Sequence, residues 1–202
     1  MIDAIIASPE LSLSHKGNRR YVQGADIWQA SEGLLQKIQP TSFVEQIILT
    51  NFAFGQCEIQ EAGGTDKSFG KLFINDGFGN IHQVILVDKG LPLKDRVAFN
   101  EDDLWTLLDI RRKKIVLRAQ SPFSFHETVV SMAKVLSYEQ SDPHSAQWVF
   151  VRATMEAQPP RQDFIGVISI ELLKMITGRF VQFGVTVDGT FFGFVYFGVA
   201  SP

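Results

Sequence analysis

Two groups of ionisable residues stand at corresponding places in the chain. Asp26 lies near the start of one predicted helix, and the pair His126-Glu127 lies near the start of another. A carboxylate and an imidazole are the groups that remove a proton next to a carbonyl, and a helix N-terminus can polarise the carbonyl oxygen. Asp26 and His126 are therefore candidates for acid–base catalysis. The structural alternative is that Glu127 completes a capping box with Ser124 and that both acids serve the helix dipole.

Three more polar side chains accompany these candidates. His82 lies between Ile81 and Gln83 on a predicted strand whose two faces are both apolar, so it is either a third acid–base group or a buried core histidine. Tyr21 and Gln23 directly precede the first helix. They can donate hydrogen bonds to a carbonyl oxygen, or they can simply anchor that helix.

One basic cluster runs from Arg111 through Arg112 to Lys114. It is either a solvated surface or a site at which Arg111 and Arg112 bind a phosphate. Nucleic acid is not the predicted partner, because no stacking aromatic accompanies the cluster and the net charge is −3. The four histidines lack metal-ligand spacing, and Gly77 and Gly79 lie in a hairpin rather than in a phosphate loop. We therefore predict neither a metal nor another cofactor.

The composition is typical of a soluble globular protein. Of the 202 residues, 45% are hydrophobic and 20% are charged, and the single Cys57 excludes an internal disulfide. No run approaches the roughly 18 apolar residues of a membrane span, and the first residues lack the basic start of a signal peptide. The expected location is the cytoplasm, without a membrane partner. The 17 phenylalanines fall mainly on predicted strands, and they indicate an aromatic sheet core or the wall of an apolar pocket.

The elements that would hold these residues recur at a spacing of about 100 residues. In the first half, the apolar spacing predicts a helix over 25–38 and an extended stretch over 43–62 with a bend at Gly55. A hairpin follows, with strands over 71–75 and 81–88 on either side of a turn at Asp76.

The second half repeats this order: helix, strand, second strand and hairpin are predicted over 125–138, 147–151, 164–176 and 179–198. Residues 164–176 carry helix and strand signals, and we favour a strand that turns at Thr177-Gly178. Residues 191–197 are apolar on both faces, which predicts a central strand covered on both sides. Between the halves, Asn100 is a good N-cap for a short helix to Asp109.

A helix followed by an antiparallel sheet that wraps it, present twice in one chain, resembles the double-hotdog proteins. The resemblance rests on element order and covers about residues 20–90 and 112–200. It implies an α+β fold of two hotdog-like modules, residues 1–100 and 101–202, paired as a pseudo-dimer with a site at their junction. Hotdog families act on acyl thioesters of coenzyme A or acyl carrier protein, as dehydratases, hydratases or thioesterases.

The sequence leaves two functions open. The first is an acyl-thioester enzyme, in which Asp26 and His126 exchange protons, His82 and Tyr21 orient the acyl group, and the basic cluster docks coenzyme A or a carrier protein. The second is a non-catalytic hotdog-like module that binds an apolar ligand or a partner protein. A purely structural homodimer that presents the last strand as an edge is a third possibility. The dehydratase pattern of a histidine followed by spaced glycine and proline is not found in the sequence.

Overall fold

The computed structural model describes residues 2–7, 10–63, 68–141, 143, 146–160, 166–176 and 179–200. These residues form an α+β structure of two compact units, Met1–Asn100 and Glu101–Pro202. Each unit contains one long helix and an antiparallel sheet. Within the described ranges, no helix combines the length and apolar character that crossing a membrane requires.

In the first unit the long helix precedes most of the sheet. Its elements in chain order are α1 (Ile2–Ala7), β1 (His15–Lys16), α2 (Gly24–Ile38), β2 (Phe43–Leu49), β3 (Cys57–Glu61), β4 (Ser68–Asn75), β5 (Ile81–Asp88) and β6 (Arg96–Val97). The antiparallel order is β3-β5-β4-β2, while β1 and β6 form a separate parallel pair. Helix α2 packs against β2, and the fully buried Trp28 and Leu35 on this helix belong to the core.

The second unit contains a larger sheet. Its elements are α3 (Asp102–Trp105), β7 (Leu108–Arg111), β8 (Lys114–Leu117), α4 (Phe125–Gln140), β9 (Gln147–Met155), β10 (Ile168–Ile176), β11 (Phe180–Val187) and β12 (Thr190–Ala200). The strands follow the order β9-β12-β11-β10-β8-β7, and each neighbouring pair is antiparallel. Helix α4 packs against one face of this sheet. Val129, Met132 and Leu136 are fully buried there.

The start of α4 confirms the predicted capping box. The Glu127 N–H donates to the Ser124 hydroxyl at 3.3 Å, and the Ser124 N–H donates to the Glu127 carboxylate at 3.0 Å. Two amides that a helix start leaves without partners are thereby satisfied. Gln23 stands at the same place in α2 and makes no side-chain capping bond.

Both predicted hairpins are confirmed. The turn between β11 and β12 places Asp188 and Gly189 at φ 48° and 81°, a left-handed conformation that this residue pair adopts readily. The strand favoured for 164–176 is confirmed over Ile168–Ile176. Residues 164–165 and the turn predicted at Thr177-Gly178 lie outside the described residues. The pairing of the two units as a pseudo-dimer stays a prediction.

The helix predicted from Asn100 to Asp109 is wrong. Only Asp102–Trp105 is helical, and Leu108–Arg111 forms β7 instead. The reason is tertiary: Leu108 pairs with Leu117 and Ile110 with Ile115 in the antiparallel ladder with β8. Pairing with a distant segment thus overrides a favourable local helix start.

The extended stretch predicted over 43–62 forms two strands, β2 and β3, and the interruption predicted at Gly55 is confirmed. The chain bends between them because the Asp88 carboxylate accepts hydrogen bonds from the Phe54 N–H at 2.7 Å and the Gly55 N–H at 3.2 Å. At Gly55 a Cβ would lie 2.3 Å from the Leu91 carbonyl oxygen, so this close approach needs glycine.

The prediction that residues 191–197 are covered on both sides is also wrong. Strand β12 is central, between β9 and β11, and one face is buried through Val195 and Phe197. The alternate residues Phe194 and Tyr196 are only half-buried, and Phe191 is 41% exposed. Helix α4 covers one face of the sheet only.

Candidate functional site

His126 is the predicted residue with the most unusual surroundings. It is the second residue of α4 and is 6% exposed. Its ring lies edge-on to Phe125 at 5.7 Å, and Phe125 in turn contacts Phe192 at 5.7 Å. Burial in these apolar surroundings lowers the pKa of His126 to about 3, because desolvation disfavours the charged imidazolium. At neutral pH the imidazole is therefore neutral, and the same burial makes it a weaker base than an exposed histidine.

A small cavity lies beside the same helix start. It has a volume of about 10 Å³, which is room for one water molecule. The Ser121 and Thr128 hydroxyls, 2.5 Å apart, form its polar part. The apolar part comes from side chains of β8, β10, the segment before α4 and the first residue of α4, namely Leu117, Ala119, Phe123, Phe125 and Ile168. The cavity is thus lined by residues on either side of His126 in the sequence, and His126 itself is not among them.

Asp26 is held in a buried ion pair. Its carboxylate lies 2.6 Å from Lys16 Nζ, and the two side chains are 7% and 14% exposed. Lys16 also lies over the Phe99 ring, 5.1 Å from its centroid. The pair joins the first turn of α2 to β1, so Asp26 has a structural role whose loss would leave Lys16 as a buried charge. Its use in catalysis stays a prediction.

His82 supports the hairpin turn of the first unit. Its Nε2 lies 3.4 Å from Asp76 Oδ2. The same carboxylate accepts hydrogen bonds from the Asn80 side chain at 2.8 Å, the Phe78 N–H at 2.8 Å and the Asn80 N–H at 3.1 Å. These bonds, above all that from the Asn80 side chain, hold the pKa of Asp76 well below its usual range. The structure gives His82 and Asp26 different partners.

Tyr21 and Gln23 lie beside the start of α2, as predicted. The Tyr21 ring packs on Phe52, with centroids 4.7 Å apart, which favours the anchoring alternative for this residue. The Gln23 carbonyl accepts the Asp26 N–H at 3.0 Å. Among the described residues, the Gln23 side-chain nitrogen is buried and has no hydrogen-bond partner. The Gln23 side-chain amide is therefore an available hydrogen-bond donor near the start of α2.

The basic cluster forms the end of the β7–β8 hairpin. Arg111 donates to Asp109 from Nε at 3.1 Å and from Nη2 at 2.8 Å, and the Arg111 side chain is 75% exposed. Arg112 occupies the turn with φ 40°, and its carbonyl accepts a hydrogen bond from the Gln140 side chain. Arg111 is thus partly neutralised by Asp109, and binding of a phosphate by Arg111 and Arg112 stays a prediction.

The sequence analysis missed Glu32, which lies in the middle of α2. This side chain is 2% exposed, and its Oε1 accepts the Val44 N–H at 2.8 Å. Burial raises the pKa of Glu32 to about 8, although the Val44 amide and the Trp28 side chain act in the opposite direction. The carboxyl group is therefore mostly protonated at neutral pH. A signal existed, because Trp28, Glu32 and Leu35 follow the i, i+4, i+7 spacing of a single helix face.

Comparisons with known proteins identify the fold. No family model matches the sequence, and no curated protein matches it. Among solved structures, the chain is similar to the dehydratase domain of the polyketide PpsC from Mycobacterium tuberculosis. The identity is 12%, the match covers 90% of this chain and 85% of that one, and the TM-score is 0.51. This likeness shows the hotdog fold that the order of elements implied.

Two further solved structures give weaker matches. The PpsC dehydratase domain in complex with C12:1-CoA matches with 11% identity over 98% of this chain and 90% of that one, at a TM-score of 0.47. The tesB protein from Mycobacterium avium subs paratuberculosis matches with 6% identity over 95% and 92%, at a TM-score of 0.46.

Proposed function

We propose that this hotdog-fold chain acts on acyl thioesters by general acid–base chemistry, with His126 and Glu32 as candidate acid–base residues. The observation that carries the proposal is that each long helix buries one ionisable side chain in its neutral form. His126 on α4 is a neutral imidazole, and Glu32 on α2 is a neutral carboxyl group. Shifts of this size are concentrated at functional sites.

The two neutral groups suit the dehydration of a 3-hydroxyacyl thioester, or its reverse. The base takes the proton from C2, the C2=C3 double bond forms, and the hydroxyl on C3 leaves as water with a proton from the acid. A protonated carboxyl group such as that of Glu32 can supply the second proton, whereas the lowered pKa of His126 makes it a weaker base than an exposed histidine for the first. Proton exchange with solvent then restores both groups. Hydrolysis of the thioester needs only a base that activates water. The fold shared with a dehydratase domain supports dehydration.

The other predicted residues have supporting roles in this proposal. The acyl group is carried by coenzyme A or by an acyl carrier protein, and Arg111 and Arg112 on the exposed hairpin dock the phosphate of that carrier. Gln23 offers its buried amide nitrogen to a carbonyl oxygen. Asp26 and His82 remain with Lys16 and Asp76, and they maintain the geometry of α2 and of the hairpin turn.

A thermal-shift series tests substrate binding. The pure chain is heated with coenzyme A alone, as the control, and with acyl-coenzyme A esters of increasing chain length. A ligand at about 100 times its dissociation constant stabilises a protein by roughly 2.7 kcal/mol, which raises the melting temperature of a chain of this size by several degrees. We expect the shift to grow with acyl length. A flat series would argue against thioester binding.

A non-catalytic binding module is the second candidate. The observation that favours it is the Val44–Glu32 hydrogen bond, because this contact gives the buried carboxyl a structural task between α2 and β2. In that case the chain binds an apolar ligand or a partner protein and leaves thioesters unchanged. Stabilisation by acyl-coenzyme A without any turnover would favour this candidate over the enzyme.

A further inference from the structure

In the second unit, the sheet face opposite α4 carries a cluster of exposed and half-buried apolar side chains among polar ones. We call it the outer face and define it by six side chains of β10, β11 and β12: Leu173, Ile176, Phe180, Phe191, Phe194 and Tyr196. Leu173 is 53% exposed, Ile176 49% and Phe191 41%. Contiguous exposed apolar surface of this kind marks an interaction site in soluble proteins.

The side chains of the outer face contact one another. Ring centroids lie 4.9 Å apart for Phe191 and Phe194, 6.4 Å for Phe194 and Tyr196, and 5.8 Å for Tyr196 and Phe180. Gly184 on β11 lies below this layer, and a Cβ there would be 3.2 Å from Leu173 and 3.5 Å from Phe191. The glycine thus lets side chains of β10 and β12 approach each other across β11.

The first unit offers an internal comparison. The equivalent face of its sheet interleaves apolar side chains with polar ones, among them Glu58, Gln60, Lys71 and Gln83. That mixture is normal for an antiparallel sheet with one face in water. The outer face is mixed as well, with Glu171, Lys174, Gln182 and Arg152 beside its apolar side chains, and it differs from the first unit in that four of its apolar side chains are aromatic.

Charges on the outer face indicate what covers it. Strand β10 carries an exposed acid, Glu171, and an exposed base, Lys174. Glu171 has one loose ion pair, with Lys114 at 3.9 Å, which is weak at such exposure. At the centre, the Gln182 side chain donates to the Tyr196 hydroxyl at 3.4 Å, and Arg152 lies 5.2 Å from the Tyr196 ring.

We propose that the outer face is the contact between two copies of this chain. A two-fold axis repeats every contact between the two copies. A strand that carries both a negative and a positive charge can therefore pair with its own copy, so that Glu171 of each copy lies beside Lys174 of the other. In this dimer the aromatic side chains of one copy pack against those of the other. Interface cores are typically rich in Phe, Tyr and Arg. A nucleic acid would instead place phosphates against Glu171.

Sedimentation velocity over a range of protein concentrations tests this proposal on the full chain. We expect a dimer that dissociates on dilution. Leu173→Arg should weaken the dimer at least tenfold, because it buries an unpaired charge at the contact. Ile81→Arg is the matched control: Ile81 is 51% exposed on β5 of the first unit, and its replacement should leave the association unchanged. A monomer at every concentration, or a dimer that Leu173→Arg leaves intact, overturns the proposal.

A charge exchange on β10 tests the orientation of the two copies. Glu171→Lys alone and Lys174→Glu alone each place like charges opposite one another, and each should weaken the dimer. The double variant restores opposite pairs and should recover the original dissociation constant within about threefold. Both positions are exposed, so folding is not at risk. If the double variant weakens the dimer by the sum of the two single effects, the proposed two-fold contact through β10 is wrong.

Discussion

We expect that replacing Glu32 with glutamine will remove one contribution to stability that declines between pH 4.5 and 8. In the unfolded chain this carboxyl group titrates near 4.5, and burial raises the pKa to about 8 in the folded state. Between these values, folding takes up one proton. The stabilising contribution is therefore fully present below pH 4.5 and is lost as the pH rises towards 8. The contribution of Glu32 to the free energy of unfolding falls by about 1.4 kcal/mol per pH unit, and by roughly 5 kcal/mol over the whole range.

The measurement is urea unfolding of the wild type and of Glu32→Gln at a series of pH values. The difference in unfolding free energy should shift in favour of the variant as the pH rises, because glutamine keeps the shape of the side chain and does not ionise. A difference that stays constant from pH 4.5 to 8 would mean that the carboxyl group is charged when folded. That result would remove the proposed proton donor.

The same variant should lose turnover. General acid catalysis contributes about 10²–10⁴-fold to a rate, and Glu32→Gln cannot supply the proton that leaves with water. We expect binding of acyl-coenzyme A to persist, since the substitution leaves the packing of α2 in place. Full turnover in Glu32→Gln would assign the buried carboxyl to the Val44 contact alone.

Replacing His126 with glutamine should remove the fall in stability at low pH, which is the acid limb of the stability curve. The same replacement should remove the proton acceptor of the reaction. An unfolded histidine titrates near 6.5, whereas burial lowers the pKa of His126 to about 3 in the folded chain. Its stabilising contribution is present above pH 6.5 and is lost as the pH falls towards 3, again by roughly 5 kcal/mol. The wild-type curve should therefore have a maximum between about pH 5 and 6.

The two variants serve as controls for each other. His126→Gln should remove the fall in stability at low pH and keep the fall at high pH. Glu32→Gln should remove the fall at high pH and keep the fall at low pH. His126→Gln should also lower turnover by about 10²–10⁴-fold without abolishing ligand binding. An unchanged acid limb together with unchanged turnover would contradict the assignment of a buried, neutral base at the start of α4.

Local signals in the sequence predicted the elements that depend on local chemistry. Ser124 and Glu127 predicted the start of α4, and Asp188-Gly189 predicted the last turn, because caps and tight turns are decided by neighbouring residues. The segment after Asn100 shows the opposite case. The residues after Asn100 favour a helix start, but the pairing of β7 with β8 decides the structure. Local propensity contains no information on such pairing.

The candidate site was only partly predictable for a related reason. The position of His126 in the first turn of α4 follows from the capping box, whereas its burial depends on the packing of α4 against the sheet. The Lys16–Asp26 ion pair joins residues ten positions apart through an irregular segment, which no periodicity reveals. Glu32 is different, since its place on the Trp28–Leu35 face could have been read from helical spacing.

The proposed dehydration is tested by mass spectrometry of the pure chain incubated with 3-hydroxyacyl-coenzyme A and, in parallel, with the corresponding enoyl-coenzyme A. We expect the two thioesters to interconvert by the mass of one water, both directions to approach the same ratio, and Glu32→Gln and His126→Gln to slow the approach. Thioesters that stay unchanged with the wild-type protein, across a range of chain lengths and from pH 6 to 8, would contradict it.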